Sequence, residues 1–173
     1  MAVLCNDLSG NVAAIVSDWK RLTNKPPWST MPERDWVDYL PPLLTAMING
    51  VICQAGSHDA RRTVVERGTI HGEHRRAHGF SVEDMFEEAA LLRRATWNFL
   101  TNKVESVTES GIVGEILRLD AAISVATLAG MAGFHKVELE RANRWDSIVD
   151  RLLAHWEETS LMEKLAVAPG AKP

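Results

Sequence analysis

Apolar residues recur at three- and four-residue spacing along most of the chain, and no run of any length alternates with period two. This is the pattern of amphipathic helices packed on one another, and it predicts an all-α bundle of five to six helices. The first helix is expected over Val12 to Leu22, with Ile15, Trp19 and Leu22 as its stripe and Asp7 or Asn11 as its cap. Three prolines then make 23–32 a loop. A second helix starts at Asp35 or Asp38, takes Pro41 and Pro42 into its first turn, runs through Leu43, Met47, Val51 and Ile52, and ends at Gly56-Ser57. Its strong apolarity predicts a central position.

The third helix is expected from His58 to about His78, closed by Gly79 in a left-handed conformation. Ser81 then caps a fourth helix that runs to about Asn102, with Glu83 and Asp84 favoured in its first turn by the helix dipole. Phe80, just before the cap, is placed to act as a hydrophobic staple. Thr108 to Gly111 reads as a break, and Ile112 to about Phe134 as a fifth helix whose second half is rich in Ala, Ser and Gly. Such small residues let a neighbouring helix come close. Val137 to Leu165 reads as a sixth helix, or as a continuation of the fifth, with Trp145, Ile148, Leu152 and Trp156 on one stripe. The expected organisation is a helical domain over 1–135, a C-terminal signalling or dimerisation helix over 136–166, and a disordered tail over 167–173.

Composition adds limits rather than a function. The 173 residues are 46% hydrophobic and 24% charged, with a net charge of −4, an ordinary balance for a folded domain. The acidic balance argues against a general nucleic-acid binder. Cys5 and Cys53 show no metal or redox spacing and are expected as reduced thiols in a cytoplasmic protein. No run reaches ~18 uninterrupted apolar residues, so no membrane span is expected, and the N-terminus lacks the features of a signal peptide.

The informative departures are charges in apolar rows. Val64, Gly68, His71, Arg75 and His78 share a face of the third helix; Glu88 lies in line with Met85, Leu92, Ala95 and Phe99; Asp120 lies in line with Ile116, Ile123 and Thr127. Buried charges are costly unless paired. The economical arrangement is one cluster of His71, Arg75, Glu88 and Asp120, serving as a polar network that fixes helix register or as an effector pocket. Arg suits the carboxylates because its planar fork can bind one by two bonds, and a histidine in the cluster could carry a change of charge. His71, His74 and His78 also fall within one arc and could supply two metal ligands, with Glu88 as another; no HExxH motif accompanies them. The default for them is a solvated or helix-capping role. Arg61-Arg62 and Arg93-Arg94 read as solvated faces, and Trp145 and Trp156 as core cover or a dimer seam.

The run His71-Gly72-x-x-Arg75-x-x-x-Gly79-Phe80, then Ser81-Val82-Glu83-Asp84 and Glu88-x-x-Leu91-Leu92-Arg93-Arg94, resembles the RsbRD-type N-terminal domain of RsbT co-antagonists and sensor histidine kinases. Leu117 to Val125 is similar to that family's last helix, and the resemblance extends over roughly Val12 to Phe134. It implies a cytoplasmic, dimeric, all-helical sensory domain without catalysis or cofactor. Such a domain would act on a protein partner such as a kinase, a phosphatase or an anti-sigma system. The stretch from Arg75 to Phe86 is also similar to globin-coupled sensors, in which a haem-ligating His stands four residues before a Gly like Gly79. Here that position is Arg75, which cannot ligate iron, so a globin-related fold would be a non-haem version. No kinase phosphoacceptor box, nucleotide-binding glycine loop or strand pattern follows Val137. Output is therefore expected through a separate partner, unless the chain is a fragment or a stand-alone relative. The competing expectations are a haem-, metal- or small-molecule-binding helical protein and an enzyme or phosphotransfer protein that uses one of the histidines.

Overall fold

A computed structural model describes the backbone of residues 7–37, 39–50, 57–103 and 110–167, and their side chains except at 36, 103, 110–112 and 157–167. The described residues are all-α, with no strand. In chain order the helices are α1 (Val12–Leu22), a 3-10 turn (Trp28–Thr30), α2 (Glu33–Val37), α3 (Leu40–Ile48), α4 (His58–Ala77), α5 (Val82–Lys103), α6 (Ser110–Phe134), α7 (Lys136–Arg141) and α8 (Trp145–Val167).

The centre of the bundle is the α4–α6 pair, and the residues that make it so are small. A Cβ at Gly72 would overlap the Gly130 carbonyl oxygen, and one at Gly133 would overlap the Thr69 carbonyl. One at Gly68 would stand 2.8 Å from the Ala126 oxygen. The two backbones therefore touch, as the small-residue run in 121–133 predicts. α3 packs on α4, α5 lies against α1 and α6, and α8 lies along α6 and reaches α4. Val113–Phe134 is long and apolar enough to cross a membrane by length and composition, but 56% of its most apolar window is buried inside the fold. Its apolarity is accounted for largely by this central position.

The α4–α5 corner forms as the sequence predicts. Gly79 has φ +77°, its N–H donates to the Arg76 carbonyl (3.0 Å) and the Phe80 N–H donates to the Arg75 carbonyl (3.1 Å). This paired pattern satisfies two of the carbonyls that a helix end leaves open. Ser81 then accepts from the Asp84 N–H (3.1 Å) while the Asp84 carboxylate accepts from the Ser81 N–H (2.8 Å), a reciprocal cap. Phe80 is buried, edge-on to Trp28 with ring centroids 5.7 Å apart.

Four boundaries differ from expectation. The second helix is split: Asp35 sits inside the short α2, the apolar α3 begins at Leu40, and Pro41 and Pro42 occupy its first turn. Ser57 does not end a helix but caps α4, its side chain accepting from the Ala60 N–H. The sixth helix is also two. Asn143 has φ +52°, with Asn143 N–H on the Glu140 carbonyl and Arg144 N–H on the Leu139 carbonyl, the same closure as at Gly79. Asn is the residue besides Gly that most readily takes this conformation, and it stops α7 there. Beyond it Leu152 and Trp156 join the main core, while Trp145 is half-buried. Asn11 holds the cap position of α1, but its side chain donates back to the Asp7 carbonyl (2.7 Å) instead of capping. Cys5, Asp38, Val51, Ile52, Cys53, Gly56, Thr108 and the 168–173 tail lie outside the described residues, whereas Ser110 and Gly111 are already helical.

Candidate functional site

The corner between α4 and α5 places three of the four expected cluster residues together. Arg75 is fully buried, Glu88 is 3% exposed and His71 is 5% exposed. Arg75 and His71 lie one turn apart on α4, and Glu88 faces them from α5. The Arg75 guanidinium grips the carboxylate along its side: Nη2 to Oε1 is 2.7 Å, and Nε lies 3.1 and 3.0 Å from Oε1 and Oε2. His71 Nε2 stands 3.1 Å from Oε2. Facing an ionised carboxylate, that nitrogen carries the proton. Arg75 Nη1 donates to the Asp35 carbonyl on α2 (3.3 Å) and lies 3.4 Å from His74 Nδ1. The guanidinium also lies over the Phe80 ring, 5.1 Å from its centroid. The cluster thus joins α2, α4 and α5.

Burial pushes the Glu88 pKa up, but the charges of His71 and Arg75 and their hydrogen bonds outweigh it, holding the carboxyl down at about 2. Glu88 is therefore an anion at neutral pH. Its environment makes it neither a general acid nor a base poised near neutrality.

One polar atom of the cluster stands apart. His71 Nδ1 is buried and has no hydrogen-bond partner among the described residues. His71 and Glu88 line a cavity of about 30 Å³ whose other walls include Leu40, Leu43, Met47, Met85 and Ile123. This is space for one water-sized molecule.

Asp120 does not join the cluster. Its side chain is 43% exposed and accepts from Arg93 Nε (2.7 Å), while Arg93 Nη2 donates to Ser124 Oγ (3.0 Å). Ile116 and Ile123 of its helical row are buried, but Asp120 itself lies on the flank of that row where its carboxylate reaches water. Arg93 is accordingly an ion-pair partner and not a purely solvated side chain, whereas Arg94 is exposed. Arg61, expected on a solvated face, is buried and engaged with other residues. Its partners in spacing, Val64, Val65 and Gly68, are all buried, a signal readable in the sequence. The same holds for Glu115, buried and engaged, in register with Leu119, Ala122 and Ala126.

The three histidines separate. His74 and His78 stack outside the cluster, with ring centroids 4.1 Å apart, and the Tyr39 ring also lies against His74, 4.0 Å between centroids. Burial, then the charges of His78 and Arg75, lower the His74 pKa from 6.5 to about 4. Among the described residues no three His, Cys, Asp or Glu side chains converge in a metal-holding group.

Just beyond Arg75, Arg76 donates to the Phe134 carbonyl (2.7 Å) and to both carboxylate oxygens of Glu138 (2.5 and 2.6 Å). Lys136 donates to Glu73 (2.8 Å). The end of α4 that carries the cluster therefore also holds α7. Comparison with protein-family models, with curated proteins and with solved structures found no match to this chain.

Proposed function

We propose that the chain is a non-catalytic regulatory or sensory domain of a signalling pathway, working as a cytoplasmic homodimer on a separate protein partner. In this reading the state of the His71–Arg75–Glu88 cluster sets the arrangement of the C-terminal helices. The observation that carries it is a fully buried Arg–Glu pair with a third titratable member, at a corner that also grips α7. A buried ion pair is rarely the most stable filling for a core; apolar residues of like volume often do as well or better. Its best-attested uses are register and switching. The resemblance of 71–94 to RsbRD-type domains supports the same reading. So do the exposed Val113 and Leu117 on α6 (43% and 52% exposed), which give a second copy an apolar face to meet.

Two-dimensional amide spectra of wild type, Glu88→Gln and Arg75→Lys test it. A regulatory cluster gives new resonance positions in α7 and α8, far from the substituted atom. Changes confined to the neighbours of residue 88 would leave the cluster a structural device and overturn the proposal.

The competing reading is a helical protein that binds a small ligand, metal or haem, and the cavity of about 30 Å³ beside His71 bears on it. This enclosed volume matches a water-sized guest and not a haem. A Soret band, or stoichiometric metal in purified protein, would establish this alternative over the first.

A further inference from the structure

A second concavity lies away from the cluster, between the end of α6, α7 and the first half of α8. It encloses about 710 Å³ and is open along one side. Its floor is apolar, with Leu128 and Met131 from α6, Leu139 from α7, and Ile148 and Leu152 from α8. Leu152 is buried, whereas Leu128 is 46% exposed, a large side chain left facing the opening. Among the described residues, the ionisable side chains lining it are His135, Arg151 and His155, all nitrogen bases. Arg151 forms no ion pair with a described residue.

We propose that this groove is the docking site for an acidic amphipathic helix of a partner protein. Two features select that occupant. The walls are two helices, and the lining residues from Leu128 on α6 to His135 just past its end cover about 10 Å of helix axis, two turns, the repeat over which a third helix lays its apolar side chains between two others. The cationic contact on offer is Arg151, which complements a carboxylate flanking the apolar stripe of the incoming helix. The groove is also mechanically tied to the cluster. His135 and Leu139 lie on either side of Lys136 and Glu138, the residues that Glu73 and Arg76 of α4 hold. This link rests on the regulatory reading; the docking surface does not.

The test uses the full chain and two synthetic helices of about 14 residues, four turns, with the same leucine stripe and either glutamate or lysine flanks. Binding is read by fluorescence anisotropy at low salt. The glutamate peptide is expected to bind at least about tenfold more tightly than the lysine peptide. Arg151→Glu should narrow or reverse that preference, and Leu128→Asp should weaken both peptides. Both positions are exposed, so unchanged circular dichroism and melting are expected of these variants. Equal binding of the two peptides, no binding of either at about 1 mM, or affinity indifferent to both substitutions would overturn the proposal. Dissociation of a homodimer by Leu128→Asp would also overturn it, by assigning the groove to a second copy. A Glu88→Gln arm separates the two claims: if it leaves the glutamate peptide's affinity unchanged, the relay from the cluster fails while the docking site stands.

Discussion

Helix α4 meets two of its neighbours by opposite means. Toward α6 it presents Gly68, Thr69 and Gly72 to Ala126, Gly130 and Gly133, backbone against backbone, with no room for a side chain at Gly72 or Gly133. Toward α5 it presents His71 and Arg75 to Glu88, three ionisable side chains taken out of water. The glycine contact has one way to fit, because close-packed backbones cannot slide without opening voids or clashing. The ionic contact has more than one, because protonation or a changed partner alters its balance. One face of the helix fixes the bundle; the other can respond.

The comparison predicts a large asymmetry between substitutions a few residues apart. Gly72→Val should be the most damaging, costing more than about 4 kcal/mol, because the clash is with backbone that cannot move aside. Loss of a cooperative melt is the expected readout, and a variant that melts like wild type would remove the rigid half of the comparison. Gly130→Ala is the control. Its Cβ would meet the flexible end of Met85 at 3.3 Å, so its cost should stay below about 1.5 kcal/mol.

Breaking the ionic contact should come next. Arg75→Met or Glu88→Leu leaves the other charge buried and should cost about 3–5 kcal/mol in denaturant unfolding. Replacing all three members by apolar residues of similar size should cost far less, or stabilise the fold by about 1–4 kcal/mol, while abolishing any response to state. A triple variant as unstable as the singles would show that the cluster is a needed part of the core.

Acid should act through the same contact. Glu88 has its pKa lowered in the fold from 4.5 to about 2, so the unfolded chain binds the proton more readily. Its contribution is present above about pH 4.5 and is lost as pH falls from there toward 2. His74, lowered from 6.5 to about 4, acts in the same direction over an earlier window. Stability should therefore decline below pH 6.5 and more steeply below 4.5. His74→Gln should remove the first part of the decline and leave the second. The smallest effect is expected at the half-exposed Arg93–Asp120 pair, where Asp120→Asn should change stability by less than about 1 kcal/mol and in a salt-dependent way.

Much of this was legible in the sequence. Helical spacing placed Glu88 in an apolar row and put His71 and Arg75 on one face, and the glycine and serine of 79–81 specified the corner that brings them together. The small residues of 121–133 announced the close approach of α6, though not which helix would meet it. Asp120 was misplaced because spacing gives the face of a helix but not which flank of that face stays within reach of water. The break at Asn143 was missed for a different reason: its neighbours are good helix formers, and only the closing hydrogen bonds to Leu139 and Glu140 reveal the left-handed residue. The groove was not legible at all, since it exists only once α7 has folded back between α6 and α8.

The account's central claim is that the ionic face of α4 governs α7 while the glycine face does not move. Amide hydrogen exchange of Glu88→Gln against wild type, at neutral pH where both are folded, tests this most directly. The account predicts faster exchange in α7 and the first turns of α8, with the amides of 68–72 and 126–134 as slow as in wild type. Unchanged exchange in α7, or uniform acceleration across the whole chain, would contradict it.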